Sequence, residues 1–295
     1  MFGIRRLIGF IYKYKIKANN QMMPNSDDFD IVAFSAISES IMDKIGHHMH
    51  IIVTGATAGM GEQIARDFAA LGHIVYGTGR RLDKLNALKT ELGEHFIPLH
   101  FDVCDTKAMS EVLGGIDLTK IDVLINNAGL ALGLEPAHLA DIQDWQTMID
   151  VNIKGLVGVT HLVLPYMVAN NHGLIINIGS TAGNHPYFGA NVYGASKAFV
   201  KQFSNNLRAD LINTRVRVTN IEPGMCGGTQ FSQVRFKGDD TKAAAVYEGV
   251  EYLTASDISN TVQWVASQPW HVNINAIELM PTAQTYAGLA VARDI

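Results

Sequence analysis

Seven short runs rich in Ile and Val recur from residue 50 onward, and glycines or amphipathic segments separate them. They are "HIIVTG" (50–55), "HIVYGTG" (73–79), "FIPLHFDV" (96–103), "VLINNAG" (123–129), "GLIINIGS" (173–180), "VRVTNIEPG" (216–224) and "AIELMP" (276–281). Runs this continuous suit strands covered on both faces, as in a parallel sheet. Between them lie "GEQIARDFAALG", "RLDKLNALKTELG", "DWQTMIDVNIKGLVGVTHLVLPYM" and "SKAFVKQFSNNLRADLI", each with helical spacing of its apolar residues. The first two end at Gly72 and Gly93, where a left-handed C-cap is expected. Strand and helix in alternation predict an α/β fold with a doubly wound parallel sheet. No linker or internal repeat interrupts the chain after Met49, so residues 49–295 form one domain.

The first 48 residues differ. "MFGIRRLIGFIYKYKIK" is basic with apolar residues at helical spacing, which would suit a membrane-surface or targeting helix. Met49 opens directly into the first strand, so residues 1–48 are expected to be a dispensable, poorly ordered extension. A net charge of -5, with no basic run in the globular part, argues against a nucleic-acid partner. Two cysteines, Cys104 and Cys226, are too few for a disulfide framework and lack metal-ligand spacing. "HHMH" (47–50) has no second cluster to complete a metal site, so no metal is expected. A cytoplasmic protein fits, and no stretch is expected to supply the roughly 20 apolar residues of a membrane span.

In a doubly wound sheet, ligands bind beyond the carboxyl ends of the strands. After the first strand comes "TGATAGMG", where Gly55, Thr57, Gly59, Met60 and Gly61 would cradle a pyrophosphate against the next helix. The second strand ends in "GTGRR". Arg80 and Arg81 stand where NAD enzymes commonly place an acid, and they would bind a 2′-phosphate. Each charge-assisted bond is worth about 1.5–3 kcal/mol, which favours NADP(H) over NAD. Asp102 and Val103 suit the adenine, Asn126 a backbone or ribose contact, and Ser180 the ligand edge.

"YGASK" carries Tyr193 and Lys197 one helical turn apart, a phenol beside an ammonium. "TGATAGMG", "NNAG", Asn152, Ser180, "YGASK" and "EPG" (222–224), in this order, resemble the short-chain dehydrogenase/reductase family. "TGRR", "NNAGLALGLEPAH", "HGLIINIGSTAG", "VRFKGDD" and "HVNINAIELMP" are similar to its NADP-dependent 3-hydroxy acid dehydrogenases. The resemblance implies a Rossmann-type fold, a homotetramer, and small-molecule substrates that are 3-hydroxy or 3-oxo acids: serine, allo-threonine, 3-hydroxypropionate and malonic semialdehyde. It implies a catalytic tetrad of Asn152, Ser180, Tyr193 and Lys197. Tyr193 would move the proton, with Lys197, beside a cationic nicotinamide, lowering its pKa by about 2–3 units and also holding the nicotinamide ribose. Ser180 would steady the substrate oxygen, and Asn152 would anchor a water relay. Pro223, Gly224, Met225 and Thr229 would serve the nicotinamide and a phosphate.

"SQVRFKGDD" falls where a substrate lid is expected. It offers Arg235 and Lys237 for the substrate carboxylate, and Arg235 is preferred because its planar fork can bind both oxygens. Other readings remain: reduction of a 3-oxoacyl thioester or a xenobiotic ketone, and a non-catalytic NADP sensor. "GASKA" comes one residue short of a serine-hydrolase elbow, but Ser196 falls within a helix.

Overall fold

The computed structural model describes residues 48–286, so all but the last residue of the extension expected over residues 1–48 lies outside the described residues. All seven expected runs form strands: β1 His50–Val53, β2 Ile74–Gly79, β3 Phe96–His100, β4 Ile121–Asn126, β5 Gly173–Ile178, β6 Val216–Pro223 and β7 Ala276–Leu279. They pair in parallel in the order β3-β2-β1-β4-β5-β6-β7. Strand order reverses at β1, where Val53 lies beside Gly77 on one side and Ile125 on the other. That reversal opens a crevice at the carboxyl ends of the strands.

The helices are α1 Gly59–Ala70, α2 Leu82–Leu92, α3 Thr106–Gly114, α4 Ile142–Ile149, α5 Leu156–Ala169, α6 Asn191–Asp210, α7 Phe231–Arg235, α8 Asp240–Ala245 and α9 Ala255–Ala266. Helix α1 packs on α9, α5 on β4 and α6 on β6. Ile52, Leu124, Ile175 and Val218, from neighbouring strands, meet Val159, Val163 and Met167 of α5 and Leu207 of α6. Each such side chain contributes about 1.5–3 kcal/mol by leaving water. Gly72 and Gly93 follow α1 and α2 at positive φ, +83° and +60°; at Gly93 ψ is -134°, so that cap is not the left-handed helical one expected.

Sequence patterning had not indicated α3 or α9. Both begin at side-chain caps: Asp105 accepts from Lys107 N and Ala108 N, and Thr254 and Asp257 form a reciprocal capping box. The segment where a lid is expected, 232–240, is helical over most of α7 and ends at the first residue of α8. One expectation needs correction. The run Ile142–Ala169 is long and apolar enough to cross a bilayer by length and composition. Its apolar residues Val159, Val163 and Met167 are buried against the sheet, which makes it a core helix.

Candidate active site

Thr54, at the end of β1, clamps the loop after β4. Its Oγ1 accepts from Asn127 N at 3.0 Å and Ala128 N at 2.9 Å, and its carbonyl accepts from Asn127 Nδ2 at 2.9 Å. Gly55 and Gly59 turn the chain at φ +68° and +55°, a conformation side chains resist. A Cβ on Gly61 would collide with the Asn127 side chain and the Gly55 carbonyl, so α1 can approach this closely only with glycine there. The resulting cavity, about 300 Å³, takes in Gly55, Thr57, Gly59 and Met60 from the loop and Asp102 and Val103 from the end of the third strand.

Arg80 and Arg81 border the same cavity and behave differently. Arg81 is fixed: Nη2 donates to Thr57 O at 3.1 Å and Thr57 Oγ1 at 3.0 Å, and Nη1 donates to Gln230 Oε1 at 2.9 Å. Arg80 is largely exposed and lies 3.6 Å from Asp102 Oδ2. Asn126 is a correction. Its side chain points into the interior, where Nδ2 donates to Thr160 Oγ1 at 2.9 Å and Asn177 Oδ1 at 2.8 Å. β4 alternates its side chains across the sheet, so the following residues, Asn127 to Gly129, reach the cavity instead.

A second cavity, about 380 Å³, gathers Ser180, Tyr193, Lys197, Pro223 to Met225, Thr229 and Arg235. Tyr193 and Lys197 lie on α6, and both are buried. Burial pushes the Tyr193 phenol up to about 12, against a hydrogen bond with Ser180 and the charge of Arg235, which pull it down. Burial pushes the Lys197 amine down to about 8. The expectation that Lys197 lowers Tyr193 is therefore not met by the protein groups. Lys197 Nζ sits 6.0 Å from the ring centroid and donates instead to Ile178 O at 2.8 Å. Desolvation outweighs attraction at that distance.

Asn152 lies beneath the cavity, in a π-helical turn, Asp150–Gly155, between α4 and α5. Its Oδ1 accepts from Leu130 N at 2.9 Å, and its Nδ2 donates to Leu130 O at 2.8 Å and Ser196 Oγ at 3.0 Å. Helices widen in this way frequently at functional sites. Gly129 keeps space beside it: a Cβ there would fall 3.3 Å from Asn152 Oδ1 and 3.4 Å from Lys197 Nζ.

The two candidate cations separate cleanly. Arg235 faces the cavity, its guanidinium 5.5 Å from both the Tyr187 and Tyr193 rings, with Nη2 donating to Tyr187 OH at 2.8 Å and Nε to Gly133 O at 3.2 Å. Lys237 turns outward at φ +53° and pairs with Asp144 at 2.9 Å. Of the two, Arg235 lines the second cavity and Lys237 does not.

Residues 49–240 match the family profile described as short chain dehydrogenase. The chain belongs to the short-chain dehydrogenase family. Among its relatives, an NADP-dependent 3-hydroxy acid dehydrogenase of Salmonella typhi is 59% identical over 248 residues, covering 83% of this chain and all of the relative. A serine 3-dehydrogenase of Rhizobium radiobacter is 50% identical over 246 residues, covering 83% and 98%. A solved structure described as the closed form of serine dehydrogenase complexed with NADP+ is 58% identical, with TM-score 0.82, and covers 83% of this short-chain dehydrogenase and 100% of that chain.

Sequence reasoning missed Asn127, Gln230, Tyr187 and Gln284, which line the two cavities of this short-chain dehydrogenase. Asn127 was visible as the second residue of "NNAG", and strand alternation was the signal that would have chosen it over Asn126. Gln284, whose Oε1 accepts from Met225 N at 2.6 Å, gave no local signal.

Proposed function

We propose that this short-chain dehydrogenase interconverts 3-hydroxy acids and the corresponding 3-oxo acids with NADP(H), malonic semialdehyde among the latter. The observation that carries the reading is Arg235, a guanidinium set against the ring of the buried tyrosine. A 3-hydroxy acid bears its carboxylate two carbons from the carbinol, with one carbon between them. With Ser180 and Tyr193 on the reacting oxygen, the carboxylate reaches Arg235. NADP-dependent 3-hydroxy acid and serine dehydrogenases among the relatives support the same reading.

The cofactor fits the residues present. Positive φ at Gly55 and Gly59 leaves backbone amides at the head of α1 for a pyrophosphate. Arg81, braced by Thr57 and Gln230, and the exposed Arg80 hold the 2′-phosphate. Lys197 holds the nicotinamide ribose, and Pro223 to Met225 hold the carboxamide. The bound nicotinamide supplies or receives the hydride.

Tyr193 donates its proton to the carbonyl oxygen in reduction and takes it back in oxidation. Ser180 donates a hydrogen bond to that oxygen as negative charge develops. Lys197, with a water anchored at Asn152, carries the proton between Tyr193 and solvent. We further propose that the protein works in the cytoplasm as a homotetramer, and that a chain beginning at Met49 keeps its kcat. Light scattering and initial rates on the shortened chain check the last two.

Initial rates with serine, 3-hydroxypropionate and malonic semialdehyde, each with NADP(H) and NAD(H), test the function. Turnover of the acids with strong preference for NADP(H) is expected. Reduction of a 3-oxoacyl thioester without turnover of the free acids overturns the substrate reading. NADPH binding without any turnover overturns the enzymatic one.

A further inference from the structure

Behind the substrate cavity lies a cluster of charged and amide side chains that none of the steps above uses. At its centre is Glu222, the penultimate residue of β6, only 2% exposed. Its Oε1 accepts from Asn220 Nδ2 at 2.7 Å and lies 3.5 Å from Lys201 Nζ; its Oε2 accepts from Asn184 Nδ2 at 2.8 Å. Lys201 also donates to Asn184 Oδ1 at 2.7 Å, which closes a ring of three side chains. Asn184 Nδ2 reaches further, to Glu278 Oε2 on β7 at 2.7 Å.

Each partner belongs to a different part of the catalytic machinery. Asn184 ends the short 3-10 turn Thr181–Gly183, which Ser180 caps with its own side chain. Lys201 stands on α6 one turn beyond Lys197 and two beyond Tyr193. Glu222 itself immediately precedes Pro223 and Gly224. Ser180 Oγ also approaches Pro223 O at 3.4 Å, so the two loops already touch on the cavity side. The carboxylate of Glu222 is the group where the segments bearing Ser180, Tyr193 with Lys197, and the nicotinamide loop meet.

A buried carboxylate is a poor device for stability alone, because its desolvation offsets much of what a partly exposed partner such as Lys201 returns, and an apolar side chain of similar volume does as well. What a carboxylate offers instead is direction: two oxygens with fixed acceptor geometry. We propose that Glu222 is a positioning residue, whose carboxylate sets the placement of Ser180, the Tyr193–Lys197 face of α6 and the Pro223–Met225 loop relative to one another. The proposal rests on the roles assigned above to those residues.

Glu222→Gln in the full chain keeps the size of the side chain while removing its charge and one of its two acceptors. We expect kcat to fall about 10-fold or more, with NADPH affinity by fluorescence titration within about twofold of wild type. Amide exchange should quicken in 180–185 and 223–227 together, and stay unchanged in the phosphate loop, 54–61. Lys201→Met, at the solvent side of the ring, should give the same pattern more weakly, and it decides the matter if Glu222→Gln does not fold. A kcat within about twofold of wild type, or exchange that rises in only one of the two segments, overturns the proposal. Should the wild-type chain turn over no hydroxy acid, the functional reading falls, and the exchange pattern alone decides whether Glu222 positions these segments.

Discussion

Lys197 donates to the carbonyl of Ile178 at 2.8 Å, which ties the catalytic helix to the strand end two residues before Ser180. The tie comes with a buried amine, pushed down to about 8. A lysine held below its unfolded value near 10.5 binds its proton less well in the fold, so it opposes folding below pH 8. That penalty fades as pH rises from about 8 toward 10.5. Lys197→Met should therefore be more stable than wild type at pH 7, by about 1–3 kcal/mol after losing the hydrogen bond to Ile178. Calorimetry at pH 7 and pH 9.5 checks it, with the gap narrowing at the higher pH. Turnover should be nearly abolished in the same variant.

Tyr193→Phe should stop turnover and leave NADPH binding intact, because only the proton-bearing oxygen is lost. Since burial pushes the phenol up to about 12, wild-type oxidation should accelerate with pH through the neutral range as phenolate becomes more available. Reduction uses the protonated form and should stay level until Lys197 loses charge near pH 8. Initial rates in both directions from pH 6 to 9 separate these limbs; an oxidation rate independent of pH would contradict the assignment.

The arginines after β2 should not contribute equally. Arg81 is braced by Thr57 and Gln230, whereas Arg80 is exposed beside Asp102. Arg81→Ala should raise KM for NADP by about 10- to 100-fold and change KM for NAD little, the loss of one or two charge-assisted bonds. Arg80→Ala should follow with a smaller effect. Equal losses for NADP and NAD would mean that the pair serves the fold of the loop.

Arg235→Ala should cost about 30- to 1000-fold in kcat/KM for a 3-hydroxy acid, a loss of about 2–4 kcal/mol. An uncharged alcohol of similar size should lose far less. Lys237→Ala, which removes a partner of Asp144 outside the cavity, should leave both substrates nearly unaffected. A common loss for acid and alcohol after Arg235→Ala would assign Arg235 to the lid alone.

The sheet was legible because parallel strands are apolar on both faces, and most of the runs that marked them end in residues lining the two cavities. Helices α3 and α9 escaped notice for the opposite reason. "TKAMSEVLG" is short, and "ASDISNTVQWVA" is rich in Ser, Thr and Asn, so capping by Asp105 and Thr254 was a better signal than periodicity. Arg235 and Lys237 were visible as a pair, but the left-handed turn at Lys237 that parts them depends on packing around the lid. A sequence shows that a lysine is near Tyr193 but not how far burial of the protein groups alone raises the phenol.

The π-turn at Asp150–Gly155 sets the two halves of one long helix out of phase. Met148, before it, packs with Ala131, Ala182 and Tyr193, whereas Val159, Val163 and Met167, after it, pack into the sheet. A regular helix advances 100° per residue, so deleting one residue here would swing one half away from its partners. Evolution can thus lengthen or shorten the loops around this site far more freely than it can trim this helix by a single residue.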